Sequence, residues 1–301
     1  MKIFLTGGTG FVGTFLSREL ARRGNEITIL TRKDSPPEAA HPDLRFLTGD
    51  PTREGAWMDA VPAHDWIINL AGASISSRWT AEAKRAFYDS RVLTTRNLVA
   101  ALARGDKRQL FCSTSAPGYY GPRGEEELSE DSPPGSDFLA KLAVDWEAEA
   151  LKAQDLGIRT VITRFGIVLG KGGGILEQLT PLFRSFLGGP LGSGQQWFSW
   201  VHQQDLAQAF VFVQEHPELE GPVNFTAPNP VRQKEFAKAL GEALGRPAFM
   251  PTPAFALRWV LGEFAEVVLT GQKVLPRKLL AAGFQFRFPT IREALTDLLA
   301  E

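Results

Sequence analysis

The chain has 301 residues, of which 44% are hydrophobic and 22% charged, and its 33 Lys and Arg against 34 Asp and Glu give a net charge of −1. This composition is typical of a folded globular protein and excludes a disordered, collagen-like or coiled-coil chain. The balanced charge predicts neither nucleic acid nor a membrane as a partner, and at about 150 residues per domain the length allows one large or two modest domains.

The N-terminus and the cysteine count indicate a reducing compartment. The segment MKIFLTGG has too few apolar residues for a signal peptide, and no uncharged apolar run in the chain is long enough to span a bilayer. Cys112 is the single cysteine, and the few histidines are scattered, so neither a disulfide nor a metal site is expected. We therefore expect a cytoplasmic protein, or one from an organelle matrix.

Short apolar runs alternate with longer amphipathic stretches through the first half of the chain. The predicted helices are residues 11–23, 81–89, 92–104 and 138–154. The predicted strands are residues 3–5, 27–30, 44–47, 66–70, 110–112 and 160–162. This alternation is typical of βαβ units that build a doubly wound parallel sheet.

The first strand leads into a glycine-rich turn. Gly7, Gly10 and Gly13 have the spacing G-x-x-G-x-x-G between this strand and the first helix. Such a turn lets backbone approach a pyrophosphate, which the free N–H groups near Phe11 and Val12 would bind with the helix dipole behind them. The context therefore predicts a dinucleotide site, and the alternative is merely a tight connection.

The end of the second predicted strand indicates which dinucleotide is bound. An acidic residue there would bind the ribose 2′-hydroxyl of NAD, but this chain has Arg32 and Lys33. Arg32 suits a 2′-phosphate through paired charge-assisted hydrogen bonds, and Lys33 adds a second charge. The sequence therefore predicts NADP(H), unless both residues are ordinary solvated charges.

Taken in order, several motifs resemble the extended short-chain dehydrogenase/reductases, the group that contains the nucleotide-sugar epimerases and dehydratases. They are TGGTGFVG, Gly49-Asp50, NLAG at 69–72, Ser113-Thr114-Ser115 and Tyr119-Tyr120-Gly121. The segments SAPGYYG, RFGIVLGKGGG and GGPLGSGQQWFSWVHQQDLA are similar to an atypical subgroup known as the epimerase family. The resemblance implies an α/β protein with a Rossmann-type doubly wound parallel sheet and a smaller C-terminal α/β lobe. We expect residues 1–169, completed by part of 200–226, to bind NADP(H), and residues 170–301 to form the substrate-binding lobe.

The resemblance also implies roles for particular residues. Asp50 would reach the adenine, Ala71 and Gly72 would line the adenosine pocket, and Ser115 would polarise the substrate. Each has a plainer alternative, since Asp50 could form an Asx turn and Ser115 could cap the turn after its strand.

The catalytic pair of the broader group is missing. That pair is a tyrosine with a lysine four residues later, but this chain has Phe138 and Leu142 at those places. Tyr119 and Tyr120, near the expected nicotinamide site, are the remaining candidate acids, or else core aromatics. Arg91 stands where the group usually has an asparagine; in a pocket it would favour an anionic substrate or the cofactor phosphates, and otherwise it is a surface arginine.

In the C-terminal lobe, Asp205 is expected to cap a helix and His202 to be structural. Taken together, these patterns predict an NADP(H)-binding oxidoreductase or epimerase-like enzyme that acts on an unidentified small molecule, with a homo-oligomer possible. The alternative is a non-catalytic NADP(H)-sensing protein.

Overall fold

The computed structural model of the protein describes residues 1–33, 43–105 and 109–300. The strands are β1 (Lys2–Thr6), β2 (Glu26–Thr31), β3 (Leu44–Thr48), β4 (Trp66–Asn69), β5 (Leu110–Ser115), β6 (Glu127–Leu128), β7 (Arg159–Phe165), β8 (Ile167–Leu169), β9 (Trp197–Phe198), β10 (Trp200–His202), β11 (Gly221–Phe225), β12 (Val231–Arg232) and β13 (Lys273–Val274). The helices are α1 (Phe11–Arg22), α2 (Ala81–Leu102), α3 (Phe138–Leu151), α4 (Gly174–Arg184), α5 (Gln203–Glu215), α6 (Gln233–Leu244), α7 (Ala254–Leu261), α8 (Phe264–Leu269), α9 (Arg277–Ala281) and α10 (Ile291–Leu299).

Within the described residues, seven parallel strands form one sheet in the order β3-β2-β1-β4-β5-β7-β11. The chain runs outward from β1 to β3 and then returns to continue from β4 on the other side of β1. Ligands of doubly wound sheets bind in the crevice at the carboxyl ends of the strands where the order reverses. In this protein that point is the gap between β1 and β4.

Helices cover both faces of the sheet because its strands are apolar on both sides. One core packs α1 and α5 against the sheet, through residues such as Leu16, Leu20 and Phe210. The opposite core packs α2 and α3 on the other face, through Leu98, Ala101 and Ala150 among others. None of the helices in the described residues is long and apolar enough to cross a bilayer.

The C-terminal lobe has its own core and small strand pairs. Phe198 and Phe236 stack with ring centroids 4.3 Å apart, and α4, α6 and α10 contribute to the same cluster. The chain also returns to the large sheet, since β11 pairs with β7 at its edge. The division between 169 and 170 stays a prediction.

The two helices predicted at 81–89 and 92–104 are one continuous helix, α2, which is a correction. Ser90 and Arg91 lie between the two predicted helices, and both fit a helix because their side chains bond to Phe87 one turn earlier. The Ser90 hydroxyl donates to the carbonyl of Phe87 at 3.1 Å and accepts from the N–H of Ala73 at 2.9 Å. A serine that bonds back to its own helix does not end it.

Candidate functional site

In the turn after β1, Gly7 and Gly13 are packed tightly against other backbone, whereas Gly10 is exposed. Gly7 has a φ of +70°, and a Cβ there would lie 2.7 Å from the backbone carbon of Leu70. A Cβ on Gly13 would overlap the carbonyl oxygen of Gly7, so α1 packs on the turn only without a side chain. A Cβ on Gly10 would meet nothing closer than that same oxygen, at 3.3 Å. The turn therefore leaves backbone accessible at Gly10.

Helix α1 begins on this accessible side. Gly10 is its N-cap and provides no side-chain hydrogen bond. The N–H groups of Phe11 and Val12 fall in the first turn, where a helix has no acceptor of its own. With the positive end of the helix dipole, they suit an anionic phosphate.

A second glycine cluster, the GKGGG segment at residues 170–174, packs against the start of α1. A Cβ on Gly173 would overlap the ring of Phe11, and one on Gly174 would lie 2.8 Å from it. The Gln203 side chain accepts a hydrogen bond from the N–H of Lys171 at 3.2 Å. These contacts seat the C-terminal lobe directly on the glycine turn, with Phe11 as the shared residue.

Arg32 and Lys33 lie exposed at the end of β2, close to Asp50 beyond the adjacent β3. Burial raises the pKa of Asp50, but hydrogen bonds from Thr52 and the charges of Arg32 and Arg53 hold it below its usual value. The Asp50 carboxylate accepts from the Thr52 N–H at 3.0 Å and from its hydroxyl at 2.7 Å. Asp50 therefore forms the local turn contact noted as an alternative, while its contact with adenine stays a prediction.

A buried amide that the sequence reasoning did not single out joins the strand ends. Asn69 accepts from the hydroxyl of Thr6 at 2.7 Å and donates to that of Thr95 at 2.9 Å and that of Ser113 at 3.3 Å. It thereby connects β1, β4, β5 and α2 at the edge where the strand order reverses. Asn69 is the first residue of the NLAG motif, in which the family resemblance implies a role only for Ala71 and Gly72.

Ala71 and Gly72 follow β4, and Gly72 makes room for Arg91 on α2. A Cβ on Gly72 would lie 3.1 Å from the Arg91 guanidinium carbon. The guanidinium donates to the carbonyl oxygens of Ala73 at 3.0 Å and Phe87 at 3.1 Å and lies 5.4 Å from the ring of Trp146. Burial lowers the pKa of Arg91 to about 10. It is thus a half-buried cation and not a surface arginine.

The predicted catalytic hydroxyls belong to a buried network. The Ser115 hydroxyl donates to Glu147 Oε1 at 2.5 Å, and Arg164 donates to both oxygens of Glu147, at 2.9 and 2.7 Å. Arg164 also donates to the Tyr120 hydroxyl at 2.8 Å, and its guanidinium carbon lies 3.6 Å from the centroid of the Tyr119 ring. Although burial opposes it, pairing with Glu147 raises the pKa of Arg164.

The network continues into the C-terminal lobe. The Tyr120 hydroxyl donates to Asn224 Oδ1 at 2.7 Å, and Asn224 donates through Nδ2 to the carbonyl of Leu275 at 3.0 Å. Burial raises the pKa of Tyr120 to about 12, so the phenol keeps its proton at neutral pH. Tyr120 therefore contacts the edge strand β11, and Asn224 of that strand makes the contact with the lobe; the role of Tyr120 as an acid stays a prediction.

A cleft of about 510 Å³ opens beside α3, with Arg91 among its lining residues. Phe138 and Leu142 line it too, so the positions expected for the tyrosine and lysine face the cleft with apolar side chains. The other apolar walls include Trp79, Leu139, Trp146, Phe165 and Val267. Among the described residues that line the cleft, Ser115, Tyr119 and Tyr120 do not appear.

The expectation that Asp205 caps α5 is wrong. His202 is the N-cap, and its Nδ1 accepts from the N–H of Gln204 at 3.1 Å. The carboxylate of Asp205 accepts instead from the N–H groups of Arg287 and Phe288, at 2.8 and 3.0 Å, and so fixes the segment that precedes α10. His202 is buried, with Nε2 3.3 Å from Asp297, in agreement with a structural histidine.

Relatives match almost the whole chain in sequence. The NAD dependent epimerase/dehydratase family matches residues 3–225, and a domain of unknown function, DUF1731, matches residues 252–298. The chloroplastic SDR39U1 homolog of Arabidopsis thaliana, an epimerase family protein, is 40% identical over 99% of this chain and 87% of its own length. Epimerase family protein SERP0438 of Staphylococcus epidermidis is 40% identical over 99% of both chains.

Solved structures match the fold. Human epimerase family protein SDR39U1, crystallised with NADPH, has a TM-score of 0.88 at 35% identity over 99% of both chains. The UDP-glucose 4-epimerase of Thermus thermophilus, in complex with NAD, has a TM-score of 0.80 at 20% identity, over 99% of this chain and 98% of its own. The second likeness supports the fold alone. Together with the sheet order, these matches confirm the predicted fold class and the epimerase-family resemblance.

Proposed function

Because the chain belongs to the NAD dependent epimerase/dehydratase family, we propose that its glycine turn binds NADP(H). The observation that carries the proposal is the contrast within the turn. Gly7 and Gly13 are needed for packing, whereas Gly10 is exposed beside the start of α1 and a Cβ there would meet one atom, the Gly7 oxygen at 3.3 Å. A pyrophosphate fits such a place, because it meets backbone N–H groups without a Cβ in the way. The NADPH in the crystal structure of the human relative supports the same cofactor class.

The preference for NADP(H) over NAD(H) is assigned to Arg32, with Lys33 beside it. Both side chains are exposed at the end of β2, where the ribose of a dinucleotide bound at the turn would lie. Asp50 and the strand-end residues Ala71 and Gly72 are proposed to line the adenosine side. In this scheme residues 1–169, completed by part of 200–226, hold the cofactor, and the substrate lies in the cleft that residues from both this part and the lobe 170–301 line.

The cofactor preference can be tested by titrating the protein with NADPH and with NADH and following energy transfer from tryptophan. We expect NADPH to bind more tightly, and Arg32→Ala to lower NADPH affinity by about 10- to 100-fold, the range for a lost charged hydrogen bond, while NADH affinity changes little. Arg45→Ala is the matched control, because Arg45 is an exposed arginine on neighbouring β3. Equal affinities for the two cofactors, or an unaltered ratio in Arg32→Ala, would refute the assignment.

We further propose that the protein is an oxidoreductase or epimerase-like enzyme that reacts a small molecule in the cleft. The nicotinamide supplies the hydride chemistry when bound. The contacts of Ser115, Tyr119 and Tyr120 support a positioning role, since their network backs the segment 116–118 that lines the cleft. Their direct contact with substrate stays a prediction.

The lining of the cleft also favours a second candidate, an NADP(H) sensor without catalysis. Phe138 and Leu142 cannot transfer a proton, and both face the cleft. Stopped-flow absorbance at the nicotinamide band, with holo-protein mixed with a panel of carbonyl compounds and nucleotide sugars, separates the two candidates. A transient or turnover supports the enzyme, and no change across the panel, with cofactor bound, supports the sensor.

A further inference from the structure

Arg91 is a half-buried cation that lines the cleft. Among the described residues no carboxylate pairs with Arg91, and its polar contacts are the carbonyl oxygens of Ala73 and Phe87. These contacts use part of a group that has five N–H donors. A cation removed from water without an anionic partner is unfavourable, even with an aromatic ring such as that of Trp146 nearby. An anion bound in the cleft would supply the missing partner.

The acidic side chains of the cleft do not supply it. Glu263 accepts from Lys84 at 2.7 Å, and Glu266 from Arg258 at 2.8 Å. Asp137 accepts from the N–H of Ala140 as the N-cap of α3, and all three residues are exposed. The two glutamates are thus paired with cations, and the exposed Asp137 is open to water, so the charge that is removed from water without an oppositely charged partner is that of Arg91.

The hydroxyl side chains that line the cleft in the described residues, those of Ser199 and Thr270, are engaged within the protein. The Ser199 hydroxyl donates to the carbonyl of Gln272 at 2.7 Å and accepts from the N–H of Val274 at 3.0 Å. The Thr270 hydroxyl donates to the carbonyl of Glu266 at 2.6 Å. A ligand rich in hydroxyl groups would leave many of them unpaired against apolar walls, which is unfavourable.

We propose that the cleft binds an apolar small molecule that carries one anionic group, with its body against the aromatic walls and its anion on Arg91. A volume of 510 Å³ suits a compact molecule of this kind. This ligand class differs from a nucleotide sugar, whose body is polar. The proposal rests on the proposed function only in taking this ligand to be the substrate or effector beside the cofactor.

A dye pair that differs by one charge tests the proposal. Anilinonaphthalene sulfonate is an aromatic anion, and N-phenylnaphthylamine is its neutral counterpart without the sulfonate. Both are titrated by fluorescence into the protein saturated with NADP+, so that the cofactor's own phosphates are already in place. We expect Arg91→Gln to weaken binding of the anionic dye by about tenfold or more, with the neutral dye unchanged.

Several variants separate the cleft from other sites. Arg85→Gln is the matched control, because Arg85 is exposed on the same helix, and it should change neither dye. Trp259→Ser removes a side chain that is 83% exposed and reports any dye on that apolar surface. If Arg91→Gln fails to fold, Ile167→Glu against Ile167→Gln gives an independent test, since Ile167 lines the cleft and is 40% exposed. The glutamate alone should repel the anionic dye.

The outcomes distinguish the possible sources of the anion. If Arg91→Gln weakens the binding of NADPH but not that of the anionic dye, Arg91 binds the cofactor pyrophosphate and the proposal is overturned. The proposal is also overturned if Arg91→Gln changes the affinity for neither ligand, or if Trp259→Ser alone abolishes dye binding. Should the wild type bind no NADPH yet bind the anionic dye through Arg91, the proposed cofactor would fail while the cleft proposal stands.

Discussion

The glycine turn and the cleft are built from different parts of the polypeptide. The turn is a single segment, residues 6–13, whose shape is set by backbone and by the absence of side chains at Gly7 and Gly13. The cleft is lined by side chains from segments as distant as Ile75 and Gln272, supported behind α3 by a buried ion pair. A site formed by backbone depends on a few glycines, whereas a site formed by side chains depends on all the contacts that position those side chains.

This difference bears on how proteins of one fold can bind different ligands. Any protein with the turn can bind the same phosphates, because backbone N–H groups are common to all sequences. The cleft can change its ligand by replacing wall residues, as Phe138 and Leu142 illustrate at the places where the resemblance implies a tyrosine and a lysine. Function in such a fold is therefore decided at the cleft and not at the turn.

The largest effect is expected where the cleft wall is supported. Glu147→Met leaves the Arg164 cation buried without its carboxylate, since the two side chains are 5% and 1% exposed. Breaking such a pair by removing one partner lowers the free energy of unfolding by about 3–5 kcal/mol. Urea denaturation followed by tryptophan fluorescence measures the loss.

The double variant Glu147→Met and Arg164→Met is the control for this prediction. With both charges removed, most of the lost free energy should return, because the isolated cation was the cause. A Glu147→Met protein as stable as wild type, or a double variant no better than the single one, would contradict this account of the wall.

An intermediate effect is expected at the turn. Gly13→Ala places a Cβ on the carbonyl oxygen of Gly7, and such overpacking lowers the free energy of unfolding by about 1–3 kcal/mol. Gly10→Ala makes a single contact of 3.3 Å with that oxygen and should lower stability by less than about 1 kcal/mol, the scale of an N-cap change. Both variants should bind NADPH more weakly than the wild type, as measured by fluorescence titration.

Comparing Gly13→Ala with Gly10→Ala therefore separates an effect on stability from an effect on cofactor binding. Gly10→Ala is expected to bind NADPH poorly while it unfolds at nearly the wild-type urea concentration. If Gly10→Ala binds NADPH as well as the wild type does, the phosphates do not lie against the exposed backbone at Gly10.

The same contrast explains how much the sequence could predict. The strands that begin near Ile3 and Ile27 and the glycine turn between them depend on local spacing, and the structure has the predicted helix and strands there. The cleft depends on contacts between distant residues. The Tyr120 hydroxyl meets Asn224 across 104 positions of the chain, and nothing in the sequence around either residue indicates that contact.

Local patterns also misled where a polar residue has a distant partner. Asp205 has the position of a helix cap, but its carboxylate is used by backbone N–H groups 82 and 83 residues away. The interruption predicted at Ser90 and Arg91 is likewise absent, since both side chains bond to Ala73, 17 and 18 positions away, and also to Phe87 within α2. The pattern predicted the elements well and the pairing of their polar residues poorly.

A buried histidine separates the two regions in their response to pH. The glycine turn contains no titratable side chain, whereas His202 lies within the C-terminal lobe. Burial lowers the pKa of His202 from 6.5 to about 4, with Arg287 and Lys171 acting in the same direction and Asp297 against it. Between these pH values the unfolded chain binds a proton that the folded chain excludes. The contribution of the neutral His202 to the free energy of unfolding is therefore complete above pH 6.5 and declines as the pH falls toward 4.

His202→Asn keeps a side chain that can cap α5 but cannot titrate. From about pH 7.5 to about pH 5.5, the wild type should lose about 1 kcal/mol more unfolding free energy than His202→Asn. Parallel pH profiles for the two proteins in urea denaturation would mean that His202 takes up its proton in the folded state, and that the lobe is more open to water than its packing implies.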